Sequence, residues 1–302
     1  MSRKPISNLT ASVRQRLQNI SRTKKEPFDL VLSRYTVERL LYRLSLSAYA
    51  DRFLLKGAML FPIWFEEMHR PTRDVDLLGF SENDEETLER IFKRLCAMDV
   101  EEDGLIFDAK TVKAERIQED AAYTGIRVTL VVTLEKARIP VQADIGFGDV
   151  VTPSPEEVTF PTLLDFPAPK LRAYPIYTVV AEKLEAMVSL GEANSRMKDF
   201  FDIWFLSQRF EFDGRLLAEA IQATFVRRLT KLPEGTPVAL TDEFASAKAT
   251  QWKAFLSKNS LTQKTFDQVT EDLRNFLTPS LFESVQTGIF PSVTWFPDRK
   301  WQ

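Results

Sequence analysis

Residues 125–134 place Ile126, Val128, Leu130, Val132 and Leu134 at every second position. A period of two fits only an extended strand with one buried face. Two further β-like runs flank it, at 105–117 and 139–147, so this part of the chain must build a sheet. Its surroundings are helical in pattern. Across 8–48, Val13, Leu17 and Ile20 recur at spacings of four and three, and Leu30, Tyr35, Leu40, Leu41 and Leu44 follow less regularly. The run 52–55 is short and extended, Gly57 stops it, and the apolar segment 58–65 follows. Residues 73–80 read as a strand. Ser81-x-x-Asp84 then opens a helix whose buried face is Leu88, Ile91, Phe92 and Leu95. Six prolines fall within 151–175, too many for a helix or a central strand. Beyond them, 176–190, 195–209, 213–227, 241–258 and 262–277 read as helices. The predicted fold class is α+β, an N-terminal mixed sheet with flanking helices followed by a mainly helical C-terminal half. The expected domains are 1–150 and 151–302.

Composition narrows the chemistry. One cysteine, Cys96, and one histidine, His69, leave no material for a disulfide framework, a cysteine zinc site or a multi-histidine metal site. Metal binding would rest on oxygen ligands, which favours magnesium or manganese. The net charge of −3 makes any nucleic-acid surface a local patch. Seven cations, from Arg3 to Lys25, precede the first acid, Glu26. They read either as a solvated basic helix or as an arm on a phosphate backbone. There is no run of about 18 apolar residues and no apolar leader, so neither a membrane span nor secretion is expected; the predicted location is cytoplasmic.

The segment Thr72-Arg73-Asp74-Val75-Asp76-Leu77 carries the strongest chemical signal. On a strand, Asp74 and Asp76 project to one side while Val75 and Leu77 enter the core. Two carboxylates on one face repel unless a cation lies between them, an arrangement that two-metal phosphoryl-transfer sites use. Alone, D-x-D also fits an edge strand with two solvated acids. Lys56-Gly57-Ala58 stands upstream at a predicted strand-to-helix junction, where glycine lets backbone approach a ligand and helix N–H groups face phosphate. Asp144 lies on a later strand, opposite in face to Val141, Ala143 and Ile145.

This order resembles the polymerase-β-type nucleotidyltransferase superfamily. The resemblance implies that Gly57 and Ala58 contact the triphosphate, that Asp74 and Asp76 ligate magnesium, and that Asp144 is the third carboxylate, helping to activate the attacking hydroxyl. Two features of the helical half extend it. Lys183 sits on the otherwise apolar stripe Ile176, Val179, Val180, Met187 and Leu190, either snorkelling or aimed at triphosphate. Asp199 and Asp202 lie one turn apart on a helix apolar nearly all round, and a carboxylate there needs a partner. Arg196 and Lys198 are within intrahelical reach, so an ion-pair network and a catalytic role both stand.

With Arg70-Pro71-Thr72, Glu182-Lys183 and Arg196-x-Lys198-Asp199-x-x-Asp202 added, most of the chain looks like the AbiEii/AbiGii family of nucleotidyltransferase toxins. That resemblance implies a toxin half of a toxin–antitoxin or abortive-infection, phage-defence pair. Its expected substrates are an NTP and an RNA acceptor, the tRNA 3′ end in some relatives, with translation blocked as the result. A cognate antitoxin is the implied partner. By position Lys183 is the triphosphate lysine, Asp199 the acid of the last motif, and Thr72 a hydroxyl that is phosphorylated in some relatives. Lys56, Arg70 and Asp202 are further nucleotide-contacting positions, and the helical half is expected to complete the active-site cleft. The family typically has K-G-G where this chain has Lys56-Gly57-Ala58, so position 58 departs. Arg227, Arg228 and Lys231 read as a solvated helix end or an RNA contact, and the aromatic tail around Trp295 and Trp301 as packed back on the domain, with base stacking the second alternative. Two rival readings remain, a magnesium nuclease or phosphohydrolase on the same acids and a non-catalytic nucleotide- or partner-binding protein.

Overall fold

Apolar alternation and helix caps account for most of the architecture. The structure is a computed structural model that describes residues 8–65, 70–80, 83–120, 123–261, 264–277, Phe282, Val285, Thr287, Gly288, 292–297 and 300–302. His69 and Ser81 lie outside the described residues, as do Phe290 and Pro291 of the tail. The chain divides into two compact units, Met1–Gly148 with Glu156–Ala173, and Asp149–Pro155 with Tyr174–Gln302.

In the first unit α1 (Leu9–Lys24) starts where Asn8 accepts a hydrogen bond from the Ala11 N–H, and Lys25 ends it in the left-handed region. Two of its cations, Arg14 and Arg16, pair with Glu135 and Asp165. The helix α2 (Phe28–Leu46) is buried along nearly all its length. Next come β1 (Phe53–Lys56), a 3-10 turn over Gly57–Leu60, the single turn α3 (Phe61–Trp64), β2 (Val75–Gly79) and α4 (Glu85–Cys96). The cap of α4 is Asp84 itself, which accepts from the Thr87 N–H at 2.7 Å. Three long strands follow, β3 (Ile106–Asp120), β4 (Tyr123–Leu134) and β5 (Ala137–Phe147), then the short β6 (Glu156–Thr159) and β7 (Lys170–Ala173). Together they form one sheet in the order β3-β4-β5-β2-β1-β7-β6. The proline-rich segment thus contributes two strands to the sheet, because every proline of 151–175 falls outside 156–159 and 170–173. Ile126, Val128, Leu130 and Val132 register against Ile145, Ala143, Val141 and Ile139, and all are buried.

A buried polar cluster pins α2 to the loops around it. Arg39 donates to Asp103 at 3.2 Å and Arg43 to the same carboxylate at 2.7 Å. Glu38 accepts from the Leu163 N–H at 2.7 Å. Burial pushes the Glu38 carboxyl up to about 7, against that hydrogen bond and the adjacent Arg39 charge.

The second unit is built from α5 (Ile176–Leu190), α6 (Met197–Ser207), α7 (Gly214–Arg228), α8 (Asp242–Lys258) and α9 (Phe266–Phe276). The strand β8 (Phe212–Asp213) pairs with β9 (Thr294–Phe296), which pairs with β10 (Lys300–Trp301). The tail is therefore packed. Trp295 donates to Ser207 O at 2.7 Å and Trp301 to Phe276 O at 3.1 Å. A mixed sheet with flanking helices followed by a helical half is the predicted α+β class.

Candidate active site

Register places charges in a line across the sheet. Lys56 on β1 stands opposite Asp76 on β2, Asp76 opposite Asp144 on β5, Asp144 opposite Arg127 on β4, and Arg127 opposite Glu115 on β3. Directly opposed residues share a sheet face, so these five form one lateral row with signs plus, minus, minus, plus, minus. Neighbouring strands are about 4.8 Å apart. Two carboxylates at roughly 5 Å repel by about 3 kcal/mol at an effective dielectric near 20, so the Asp76–Asp144 step needs a cation.

For Asp144 the chain supplies that cation itself. Arg127 Nε donates to Asp144 Oδ1 and Nη2 to Oδ2, both at 2.9 Å, and Gln142 Nε2 adds a bond to Oδ2 at 3.2 Å. The hydrogen bond to Asp144 raises the Arg127 pKa above its ordinary value, and the charges of Asp74 and Glu115 add to it. Arg127 was not anticipated as a site residue. Its signal lay in the alternation of β4, where it is the charged residue facing away from Ile126 and Val128.

At Asp76 the glycine of the upstream motif closes in. Gly57 has φ +70°, and a Cβ built on it would lie 2.0 Å from Asp76 Oδ2. Backbone conformation and carboxylate position both demand glycine. The expected helix after it is only a 3-10 turn and one α-turn, too short to add up a sizeable dipole, so any phosphate contact here rests on individual backbone N–H groups. Ala58 is 3% exposed, and its methyl belongs to the core.

Asp74 lies just ahead of β2 and is exposed. It lines a recess of about 270 Å³ with Arg73, Thr111, Thr129, Val131 and Gln142. A larger recess of about 460 Å³ lies at the β6–β7 end, around Asp51, Glu157, Lys170 and Arg172, and holds none of these acids. Thr72 and Arg70 are half-buried beside the acidic segment, and Arg73 pairs with Asp29 of α2 at the surface.

Within the second unit, Lys183 of α5 reaches α6. Its Nζ lies 2.6 Å from Asp199 Oδ1 and 2.9 Å from Asp202 Oδ2. The lysine side chain is 14% exposed and both carboxylates are buried. A cation for these buried acids comes from the neighbouring helix, where an apolar stripe brings Lys183 inward. Arg228 sits among Asp149, Glu182 and Glu185, at 3.1, 3.5 and 2.8 Å, and these acids raise its pKa against the opposing effect of burial. Its guanidinium is committed to carboxylates, unlike the solvated or RNA-facing cation expected from the sequence.

The sequence profile described as "Nucleotidyl transferase AbiEii toxin, Type IV TA system" matches residues 39–276. The chain belongs to the AbiEii nucleotidyltransferase toxin family. It is a nucleotidyltransferase, and AbiEii membership brings with it an NTP substrate and an antitoxin partner. Among solved structures it is similar to JHP933 from Helicobacter pylori (12% identity, 84% of this chain and 90% of that one covered, TM-score 0.47). It is also similar to a protein from H. pylori described as a candidate nucleotidyltransferase (12% identity, 86% and 96% covered, TM-score 0.46). No curated protein matches it. No described helix of this AbiEii protein is long and apolar enough to cross a membrane.

The AbiEii family generally uses divalent metal. Among the described residues no three or more His, Cys, Asp and Glu side chains converge on one point. Magnesium needs fewer, since one or two carboxylates with substrate phosphates and water complete its shell. Asp76 and the exposed Asp74 fit that demand.

Proposed function

We propose that this AbiEii protein transfers a nucleotide from an NTP to the 3′-hydroxyl of an RNA, the tRNA 3′ end being the expected acceptor, and that this transfer blocks translation in a phage-defence toxin–antitoxin pair. The observation that carries the reading is Gly57 pressed against Asp76 in a row that continues to Asp144. It puts a close-approach backbone turn, suited to phosphate, beside a carboxylate suited to a hard cation.

Magnesium, or manganese in its place, held by Asp74 and Asp76 would neutralise charge on the phosphates. The acceptor oxygen bonds to the α-phosphorus as its bond to the bridging oxygen of the β-phosphate breaks; pyrophosphate departs and the hydroxyl proton is released to solvent. The N–H groups of Gly57 and Ala58 orient the triphosphate, and Lys56 and Arg70 are assigned to its phosphates. By the family motif Lys183 is a triphosphate-binding position, and within its own unit Asp199 and Asp202 fix its ammonium. Thr72, next to the acids, is a position where phosphorylation would place negative charge against Asp74 and oppose binding of the triphosphate.

Labelled NTPs incubated with the protein and total RNA test this. Label should enter RNA, each of the four NTPs tried separately, and Asp76→Ala should abolish it. Equal labelling by that variant would reject the role given to Asp76, and RNA that shortens would favour a nuclease.

A further inference from the structure

We propose that Arg127 holds a backbone phosphate of the RNA acceptor, and that Asp144 is the positioning residue that aims it. The inference rests on the nucleotidyltransferase reading and assigns the acceptor side of that site.

Three observations lead to it. The first is the state of Asp144. Both of its oxygens accept from Arg127, and one also accepts from Gln142. A carboxylate held in a bidentate arginine fork has both of its oxygens committed to that guanidinium. Its evident work is to fix a planar cation. Arg127 keeps 34% of its side chain exposed, whereas Asp144 keeps 12%. Two of the five guanidinium N–H donors meet Asp144, and the fork geometry that suits carboxylate suits phosphate equally.

The second is the order of elements across the sheet. Gly57, at the end of β1, flanks Asp76 on one side, while β5 and then β4 lie on the other. Phosphoryl transfer runs with attacking and leaving oxygens roughly in line. With the triphosphate over the Gly57 turn, the leaving pyrophosphate is on the β1 side, and the attacking hydroxyl must approach from the β5–β4 side. That is where Arg127 stands.

The third is the surface beside it. The recess at Asp74 extends over β5 and β4, lined by Gln142, Thr129 and Thr111. Lys113 of β3 registers against Thr129 and is exposed. Hydroxyls, an amide and a second cation next to Arg127 suit the end of a single RNA strand better than a second triphosphate, which would want denser positive charge.

The test measures both substrates and binding. Arg127→Ala should raise the KM for total RNA about tenfold or more and shift the KM for NTP less than twofold, and Arg127→Lys should recover part of the loss. Anisotropy with a labelled single-stranded RNA bearing a free 3′-hydroxyl should weaken to match. The slope of log affinity against log salt should fall by about 0.7, the value of one phosphate contact to a single strand. Asp144→Asn should weaken RNA in the same direction while the magnesium concentration for half-maximal rate stays put. Circular dichroism melts confirm that each variant folds. Unchanged RNA affinity in Arg127→Ala overturns the proposal. So does an Asp144→Asn protein that binds RNA normally but needs far more magnesium, since that carboxylate would then serve the metal. If the wild-type protein labels no RNA, the transferase reading fails, and the anisotropy result still decides the role of Arg127.

Discussion

The backbone of Gly57 lies so close to the carboxylate of Asp76 that a Cβ on the glycine would sit 2.0 Å from Oδ2 and 2.7 Å from Cγ. The contact joins the end of β1 to the acid-bearing strand, and the positive φ of Gly57 would be strained for any side chain. Gly57→Ala is expected to push Asp76 off its position. Activity should fall at least a hundredfold, while stability falls by only about 1–2 kcal/mol. Steady-state rates beside urea denaturation separate the two effects. A variant as active as the wild type would show that the position of Asp76 does not matter.

Lys183 binds two carboxylates that are almost entirely buried. Replacing it by methionine leaves Asp199 and Asp202 without this partner in a low-dielectric helix interface, a change that costs about 3–5 kcal/mol. Loss of activity in Lys183→Met must therefore be read against its urea midpoint. Making all three residues neutral, with Asp199→Asn and Asp202→Asn added, should recover most of the stability without restoring activity. If Lys183→Met unfolds at the wild-type urea concentration, the triad is not a structural one.

The strands and helices were legible because their burial is periodic. The alternation in β4 and β5, the stripe of α5 and the nearly all-round apolar character of α6 needed no long-range information. So was the α+β order of the chain. What sequence could not give is register. Nothing in the residues around Asp144 says that Arg127, seventeen positions earlier, lies directly across from it, because hairpin pairing depends on the turn at Glu135–Lys136 as well as on pattern. The same holds for Lys183. Its apolar stripe was visible, but that the stripe meets α6 and delivers Lys183 to the buried acids is a packing result. The short helix after Gly57 was misjudged because an apolar run of eight residues does not distinguish one turn from three.

Cys96, at the end of α4, is the protein's single thiol, and burial pushes its pKa up to about 11. The thiolate is the reactive form, so at pH 7.5 only a very small fraction is available. Alkylation by iodoacetamide should be at least tenfold slower in the folded protein than in urea. Equal rates would mean that the helix end opens readily.

Glu38 makes stability depend on pH in a direction unusual for a carboxylate. Its folded pKa of about 7 lies above the 4.5 of the unfolded chain, so the folded state binds its proton more tightly. The stabilisation is fully present below pH 4.5 and is lost as pH rises to about 7, beyond which it changes no further. A shift of that size corresponds to about 3 kcal/mol. Glu38→Gln removes the titration yet keeps an oxygen to accept from the Leu163 N–H. Urea denaturation of both proteins from pH 4.5 to 8 isolates the group, since every other residue titrates in both. The wild type should lose about 3 kcal/mol relative to the variant over that range. Parallel curves would mean that Arg39, rather than a proton, satisfies the buried carboxylate throughout.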